Sequence, residues 1–422
     1  MTTRMKAEIK QASALILILV VALAALLLLS QNVGESGKET APVYVGVAFQ
    51  GNTTAEAKLL IDRVKSYTNL FVLGHTPVSR NETTTNEVCD YAVSQGLSII
   101  VNFGYYDPYV SSTEEAFRRW PWQHSWVEAA KQKYGDRFLG VYYDDEPGGI
   151  TLDYDWQEFF ANYSSHFSQP GDTALHKIYN KLIEANASKT EPDDYDLEAR
   201  YFAELLEITF GHTNMEIPEV TTFTSDYALY WFDYLGGYDV ILAQLGWNHT
   251  YVQDIGLVKG AARLQGKQWG VIVTWKYDQP PYLDSGKEIY GQMVAAYQAG
   301  ASYITIFNYP SLEGNDYGVM QDEHFLALEQ FWKTVVTQGR TVPDYRKADV
   351  ALVLPKNYGW GMRAIDDKIW GMWGPDAKSP QIWAISRKLL AEYGLRLDIV
   401  YDDAAFPVAG KYNRIYYWNE TI

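Results

Sequence analysis

The stretch KYGDRFLGVYYDDEPGG, residues 133–149, decides how the chain folds. A helical pattern stops at Gly135, and an apolar run from Phe138 to Tyr143 follows. Three carboxylates, Asp144, Asp145 and Glu146, then close the run before Pro-Gly-Gly. A glycine just past a helix takes the left-handed conformation that ends it, and a short loop then feeds the next strand. The same punctuation recurs in SQGLSIIV (94–101), LQGKQWGVIVTW (264–275) and YQAGASYITIF (297–307). Before the last of these, Tyr290, Met293, Val294 and Tyr297 recur at helical spacing. Repetition of helix, glycine and strand is the sequence form of a βα unit.

Working outward, apolar runs of strand length are read at Val43–Phe49, Leu70–Leu73, Leu97–Phe103, Phe138–Tyr143, Val220–Phe223, Val240–Leu245, Trp269–Trp275 and Ser302–Phe307. Continuous apolar strands suit a parallel sheet covered on both faces, and eight of them alternating with helices predict an α/β fold, a (β/α)8 barrel over residues 42–343. The fourth and fifth strands are separated by a long insertion containing DYDWQEFFANYSSHF and DLEARYFAELLEITF. Only a stub of helix around Tyr227–Tyr234 fits between the fifth and sixth. Beyond Pro343 the pattern changes. ADVALVLP, LRLDIVYDD and NRIYYWNE read as strands. SPQIWAISRKLLAEYG reads as a helix with Ser379 as N-cap, Pro380 in the first turn and Gly394 as C-cap. Residues 344–422 are therefore expected to form a small α/β domain ending on a strand.

Composition bounds the function. With 47% hydrophobic residues the chain is not disordered, and a net charge of −17 without basic clusters argues against nucleic acid. One thiol, Cys89, cannot form an internal disulfide and reads as a core residue. No H-E-x-x-H, C-x-x-C or glycine-rich phosphate motif occurs, so neither metal nor organic cofactor is expected.

At the N-terminus, Arg4, Lys6 and Lys10 precede an uncharged apolar run from Ala12 to Leu29. Residues 1–30 are read as an anchor or signal segment, with an uncleaved single-pass helix favoured, and 31–41 as a linker. The positive flank predicts that everything after it lies outside the membrane. Sequons at Asn52, Asn81, Asn162, Asn186, Asn248 and Asn419 agree with a glycosylated, exported chain. Nothing in the sequence reports the oligomeric state.

Catalytic groups of a (β/α)8 barrel come from the C-terminal ends of its strands. Those positions hold Gln50, His75, Tyr105 with Tyr106 and Asp107, the triplet 144–146, Asp226, Gln244 with Trp247, Trp275 with Lys276, Tyr277 and Asp278, and Asn308 with Tyr309. Amides, aromatics and carboxylates at one mouth suit carbohydrate, whose C–H faces lie on rings and whose hydroxyls need fixed partners. Trp247, Trp275, Tyr105 and Tyr277 are expected as sugar platforms, Gln244 and Asn308 as hydroxyl binders, and His75, Tyr106 and Asp226 as further substrate contacts. Glycosidic cleavage needs an acid for the leaving oxygen, and a carboxyl crowded by carboxylates keeps its proton near neutral pH. Glu146 is the expected general acid/base, with Asp144 or Asp145 orienting it or the substrate. Along a regular strand Asp144 shares a face with Glu146; a broken pleat would bring Asp145 there instead.

With these residues in view, the ending GVYYDDEPGG resembles the (β/α)8 glycoside hydrolases, many of which carry the acid/base Glu after strand four. The trailing α/β region is similar to the Rossmann-like domain that follows the barrel in one group of β-galactosidases. The resemblance implies cleavage of an oligo- or polysaccharide. It departs after strand seven, where the large retaining clan has a second Glu and this chain has TWKYDQPPY, with Asp278 as the available replacement. Hexosaminidases, which use the substrate's own acetamido group, carry an adjacent Asp-Glu pair like Asp145-Glu146; chitinases carry D-x-E, like 144–146. The rival reading is a cell-surface protein that binds glycans on such a barrel without cleaving them.

Overall fold

The computed structural model describes residues 42–104, 122–154, 156, 195–204, 206, 220–247, 249–338 and 343–422. The apolar run 12–29, the aromatics Tyr105 and Tyr106 with Asp107, and most of the insertion after strand four lie outside the described residues. Among those described, no helix is long and apolar enough to cross a membrane.

Eight parallel strands close into a barrel in chain order: β1 (Tyr44–Phe49), β2 (Leu70–Leu73), β3 (Ser98–Gly104), β4 (Phe138–Tyr143), β5 (Thr222–Asp226), β6 (Val240–Leu245), β7 (Gln268–Val273) and β8 (Tyr303–Phe307). β8 pairs with β1 from Tyr44↔Tyr303 to Ala48↔Phe307, which closes the ring. The four glycines of the sequence punctuation, Gly96, Gly135, Gly266 and Gly300, all take positive φ. Each releases the chain from its helix at the point where the next strand begins.

The first two helices of the ring start at polar caps. α1 (Thr54–Val64) begins with a capping box in which Glu56 N donates to Thr53 Oγ1 at 3.2 Å and Thr53 N to Glu56 Oε2 at 2.8 Å. Asn81 Oδ1 accepts from Thr83 N at the start of α2 (Glu82–Ser94). α3 (Trp122–Tyr134), α4 (Pro147–Asp153), α5 (Tyr230–Leu235), α6 (Tyr251–Gln265), α7 (Gly286–Ala299) and α8 (Asp322–Phe331) follow in order. The barrel interior is filled by Ala48, Leu70, Val72, Ile100, Tyr142, Phe223, Val240, Leu242, Ile272 and Tyr303, separate from the core under the helices.

β5 extends past the expected end at Phe223 because Thr224, Ser225 and Asp226 remain buried strand residues. Their polar side chains hid the strand from a reading based on apolar runs.

A second, three-stranded parallel sheet has the order β10 (Leu397–Tyr401), β9 (Val350–Leu354), β11 (Arg414–Tyr417), with α9 (Ser379–Tyr393) between β9 and β10. Ser379 is not the N-cap of α9. Its hydroxyl bonds to Tyr358 Oη at 2.7 Å, Lys378 is the cap, and Asp376 Oδ1 accepts from Lys378 N at 2.7 Å. Gly394, with φ 53°, closes the helix. Barrel and second sheet form one compact unit, Val43–Ile422. They join where β10 lies on α6. A Cβ on Gly260 would fall 2.9 Å from Ile399 O, so only glycine admits the approach. In that seam the fully buried Asp398 meets Lys259 Nζ at 3.2 Å, Arg263 Nη1 at 3.4 Å and Tyr412 Oη at 2.9 Å.

Candidate active site

The strand ends form a cleft of about 680 Å³ of unfilled space, whose floor and walls include Gln50, Tyr142, Asp145, Glu146, Ser225, Gln244, Trp247, Trp275 and Tyr309. β4 stops at Tyr143, and the pleat then breaks. Asp144 (φ 45°) and Glu146 (φ 58°) are both left-handed. Neighbours that would face opposite ways in a strand are thereby turned together, so that Asp145 and Glu146 line the same cleft. Asp144 does not line it; its carbonyl accepts from Thr224 Oγ1.

Each acid has its own partners. Tyr142 Oη donates to Asp145 Oδ1, and Ser225 Oγ donates to the same oxygen at 2.9 Å. Gln244 Nε2 donates to Glu146 Oε1 at 2.7 Å and to Ser225 Oγ at 3.0 Å, while its Oε1 accepts from Trp247 Nε1 at 3.2 Å. Tyr142 rises out of the interior core, so the barrel's packing fixes the cleft floor.

Burial raises the Glu146 carboxyl to about 8, with the adjacent Asp145 charge adding to the rise and the Gln244 amide opposing it. Burial also raises Asp145, against the two hydroxyls that favour its ionised form. Two hydroxyl donors on Asp145 against one amide on Glu146 place the negative charge of the pair on Asp145 and the proton on Glu146.

Across from Asp145 and Glu146, β7 offers Thr274 and Trp275, and no carboxylate other than Asp145 and Glu146 is among the described residues of the cleft. Trp275 stacks on Tyr309, with centroids 5.8 Å apart and planes 8° from parallel, and its Nε1 donates to Tyr309 O at 2.6 Å. Trp247 packs with its ring centroid 6.1 Å from that of Trp275. Three rings thus line the same cleft as the two carboxyls.

Several expected site residues lie elsewhere. Asp278 and Tyr277 are exposed on the loop beyond Trp275 and do not line the cleft, so Asp278 is no replacement for a strand-seven Glu. His75 accepts from Arg80 Nε at 3.1 Å, outside the lining. Asn308 is buried, and its Oδ1 accepts from Gln50 N at 2.9 Å, tying β8 to β1 rather than meeting substrate. Asp226 is fully buried behind Glu146 and accepts from the backbone N–H groups of Gly148, Gly149, Tyr227 and Ala228, so it holds the chain and not a sugar. Burial raises Asp226 to about 7 against those amides, and Asp233 beside it is driven well above the usual carboxylate range.

Sequence reasoning did not assign Tyr142 or Ser225 to the site. Tyr142 shares a strand face with Asp144 and Glu146 in the sequence pattern, and Ser225 stands beside Asp226 at a strand end. Among the described residues no three His, Cys, Asp or Glu side chains are grouped to hold a metal ion.

No protein-family model and no curated protein sequence matches the chain. Solved structures do. A GH5_18 protein from Streptomyces cattleya, determined in complex with GlcNAc, aligns with a TM-score of 0.54 at 10% identity over 90% of this chain and 99% of that one. The β-galactosidase of the psychrophilic Marinomonas ef1 aligns at 0.51 with 11% identity, over 89% of this chain and 72% of that one. The cold-adapted β-galactosidase from Rahnella sp. R3 aligns at 0.51 with 14% identity, over 90% and 67%. The chain has the (β/α)8 fold of glycoside hydrolases. At these identities the likeness is one of fold, and the chemistry has to be argued from the cleft.

Proposed function

We propose that the chain is a glycoside hydrolase acting on sugars that carry a 2-acetamido group, with Glu146 as general acid/base and Asp145 as the group that orients and stabilises the acetamido nucleophile. The observation that carries this reading is the Asp145-Glu146 pair in a cleft lined also by aromatic rings and, among the described lining residues, by no further carboxylate. A retaining mechanism with a protein nucleophile needs a carboxylate about 5–5.5 Å from the acid, across the sugar. Substrate assistance needs none. GlcNAc, seen with the S. cattleya protein of the same fold, is a sugar of this class.

The steps balance on the groups present. Glu146 gives its proton to the glycosidic oxygen as the C1–O bond breaks. The acetamido carbonyl oxygen of the same sugar bonds to C1 and closes an oxazolinium ring. Asp145 accepts from the acetamido N–H and offsets the positive charge, with Tyr142 and Ser225 holding its other oxygen. Water then adds to C1 while Glu146, now a carboxylate, takes its proton, and the ring reopens. Trp275 and Tyr309 offer a face to the sugar ring, and Gln50 and Gln244 supply amides at its edge.

The proposal includes location. The basic flank and apolar run of residues 4–29 support an N-terminal anchor with the barrel outside the membrane. Asn52, Asn81 and Asn419, sequon residues within the described chain, are exposed, as glycosylation requires.

The test is hydrolysis of paired aryl 2-acetamido-2-deoxyglycosides and their 2-hydroxy counterparts by the full chain in detergent, with Glu146→Gln in parallel. Turnover of the acetamido sugars alone, lowered about a hundredfold or more in the variant, is expected. Equal turnover of the 2-hydroxy sugars would refute substrate assistance. Sugar retention without turnover would leave a glycan-binding protein instead.

A further inference from the structure

We propose that Arg363, which lies outside the barrel in the β9–α9 connection, is a positioning residue for Glu146, clamping the short helix α4 that begins immediately after that acid. The inference rests on the assignment of Glu146 above. Glu146 is itself the N-cap of α4, with φ 58° and ψ 42°. A left-handed non-glycine residue is unfavourable and persists only where its surroundings hold it.

Two sides supply that hold. From β5, Ser225 O accepts from Glu146 N at 2.9 Å, and Asp226 accepts from the amides of Gly148 and Gly149 at 2.5 and 2.9 Å. A Cβ on Gly149 would fall 2.1 Å from the Tyr227 ring, so helix and turn touch without slack. From the other side, Arg363 grips Asp153, the last residue of α4, with Nη1 at 2.9 Å from Oδ2 and Nη2 at 2.8 Å from Oδ1. Tyr227 Oη donates to Asp153 Oδ2 at 2.8 Å, and the guanidinium lies 5.4 Å from the Tyr227 ring centre.

Arg363 is in turn fixed by Asp367, whose Oδ2 accepts from Arg363 Nε at 2.9 Å and Oδ1 from Nη2 at 2.7 Å. The connection that carries it is built against α4 and α5. A Cβ on Gly371 would fall 2.0 Å from Thr151 O, and Trp370 packs 4.7 Å from Phe232. The guanidinium forms its two-bond fork with Asp367 and, so fixed, reaches the half-exposed Asp153 with one hydrogen bond and a second ion-pair contact, which makes it a directional clamp.

Arg363 also acts on charge. The groups acting on Glu146 are the adjacent Asp145, the Gln244 amide from β6, Asp226 from β5 with Tyr227 just after it, and Asp153 from α4; each of the carboxylates pushes its carboxyl up, and the amide opposes them. Arg363 offsets Asp153, so its removal both loosens α4 and raises the acid further.

The experiment uses the full chain as Arg363→Met, Arg363→Lys and Arg363→Met with Asp153→Asn. In Arg363→Met, kcat is expected to fall about tenfold or more with KM within about twofold, and the basic limb of the pH profile to move up. Adding Asp153→Asn returns the limb without returning kcat. Lys keeps the charge but not the fork, so the limb stays and kcat is intermediate. Amide hydrogen exchange provides a readout independent of turnover. In Arg363→Met, peptides covering 146–154 exchange faster while those of β1 and β9 keep their protection. Unchanged exchange at 146–154, or protection lost evenly across the chain, overturns the positioning role. If the wild type hydrolyses no sugar, the function proposed above fails while the exchange result still decides whether Arg363 holds α4.

Discussion

Replacing Glu146 by Gln is expected to stabilise the folded protein near pH 8 and to leave it almost unchanged near pH 4. The reasoning is linkage. In the folded state the Glu146 carboxyl titrates at about 8, against 4.5 for a free one. Between those values the folded chain holds a proton that the unfolded chain has released, so stability falls as pH rises through the window. Gln keeps the shape and accepts the Gln244 N–H, but it has no charge to suppress. At about 1.36 kcal/mol per unit the full difference would approach 5 kcal/mol. Glu146 borders the open cleft, and water screening there reduces the expectation to roughly 2 kcal/mol. For a unit of this size that raises Tm by roughly 2–3 °C at pH 8. Asp226 repels the ionised Glu146, so its effect is part of the same rise and disappears with the charge in the variant. The assay is thermal unfolding of wild type and variant from pH 4 to pH 9. A variant equally or less stable at pH 8 would refute the claim that the cleft suppresses the ionisation of Glu146.

Two further outcomes follow from the same contacts. Gln244→Met removes the amide that donates to Glu146 at 2.7 Å, so the basic limb of kcat/KM is expected to move up by about one pH unit, a charged hydrogen bond being worth about 1.5–3 kcal/mol; an unmoved limb would show that this bond does not tune the acid. Lys259→Met strips the fully buried Asp398 of one of its two cations and is expected to destabilise the protein by about 3–5 kcal/mol in urea unfolding followed by tryptophan fluorescence, whereas a near-neutral effect would show that Arg263 and Tyr412 suffice.

The barrel was legible because its signal is redundant. Apolar runs give the strands, and four glycines that must turn left-handed give the points where helices stop. β5 was read short because strand and site coincide there: Thr224, Ser225 and Asp226 are polar for the sake of the cleft and of α4, and a pattern built on burial of apolar groups cannot include them. The start of α9 differs by one residue for a related reason, since Ser379 spends its hydroxyl on Tyr358 while Asp376, ahead of the Lys378 cap, accepts from the Lys378 amide. Position after a strand predicts nearness to the mouth, not direction. Asp278 and Asp226 both satisfy the rule; one points out on a loop and the other is consumed by four backbone amides. Arg363 stands more than 200 residues from the helix it grips, and no local pattern links them.

Three consecutive carboxylates are a problem of repulsion, and the backbone solves it by geometry. A straight strand would send Asp144 and Glu146 to one face and leave Asp145 on the other. The two left-handed residues at 144 and 146 reverse this: Asp144 leaves the cleft, and Asp145 and Glu146 enter it together. Of the triplet, only two carboxyls then share the cleft, and unequal partners divide them, with hydroxyls on Asp145 and a single amide on Glu146. Such a turn is unfavourable in isolation and has to be held from outside β4. Asp226 on β5 and Arg363 on the second sheet's connection do so at the two ends of α4, both carrying charge toward the acid they place. Arg363 therefore acts on both the position and the protonation of Glu146, and the two effects come apart when Asp153→Asn is added to Arg363→Met, which restores the charge balance but not the clamp.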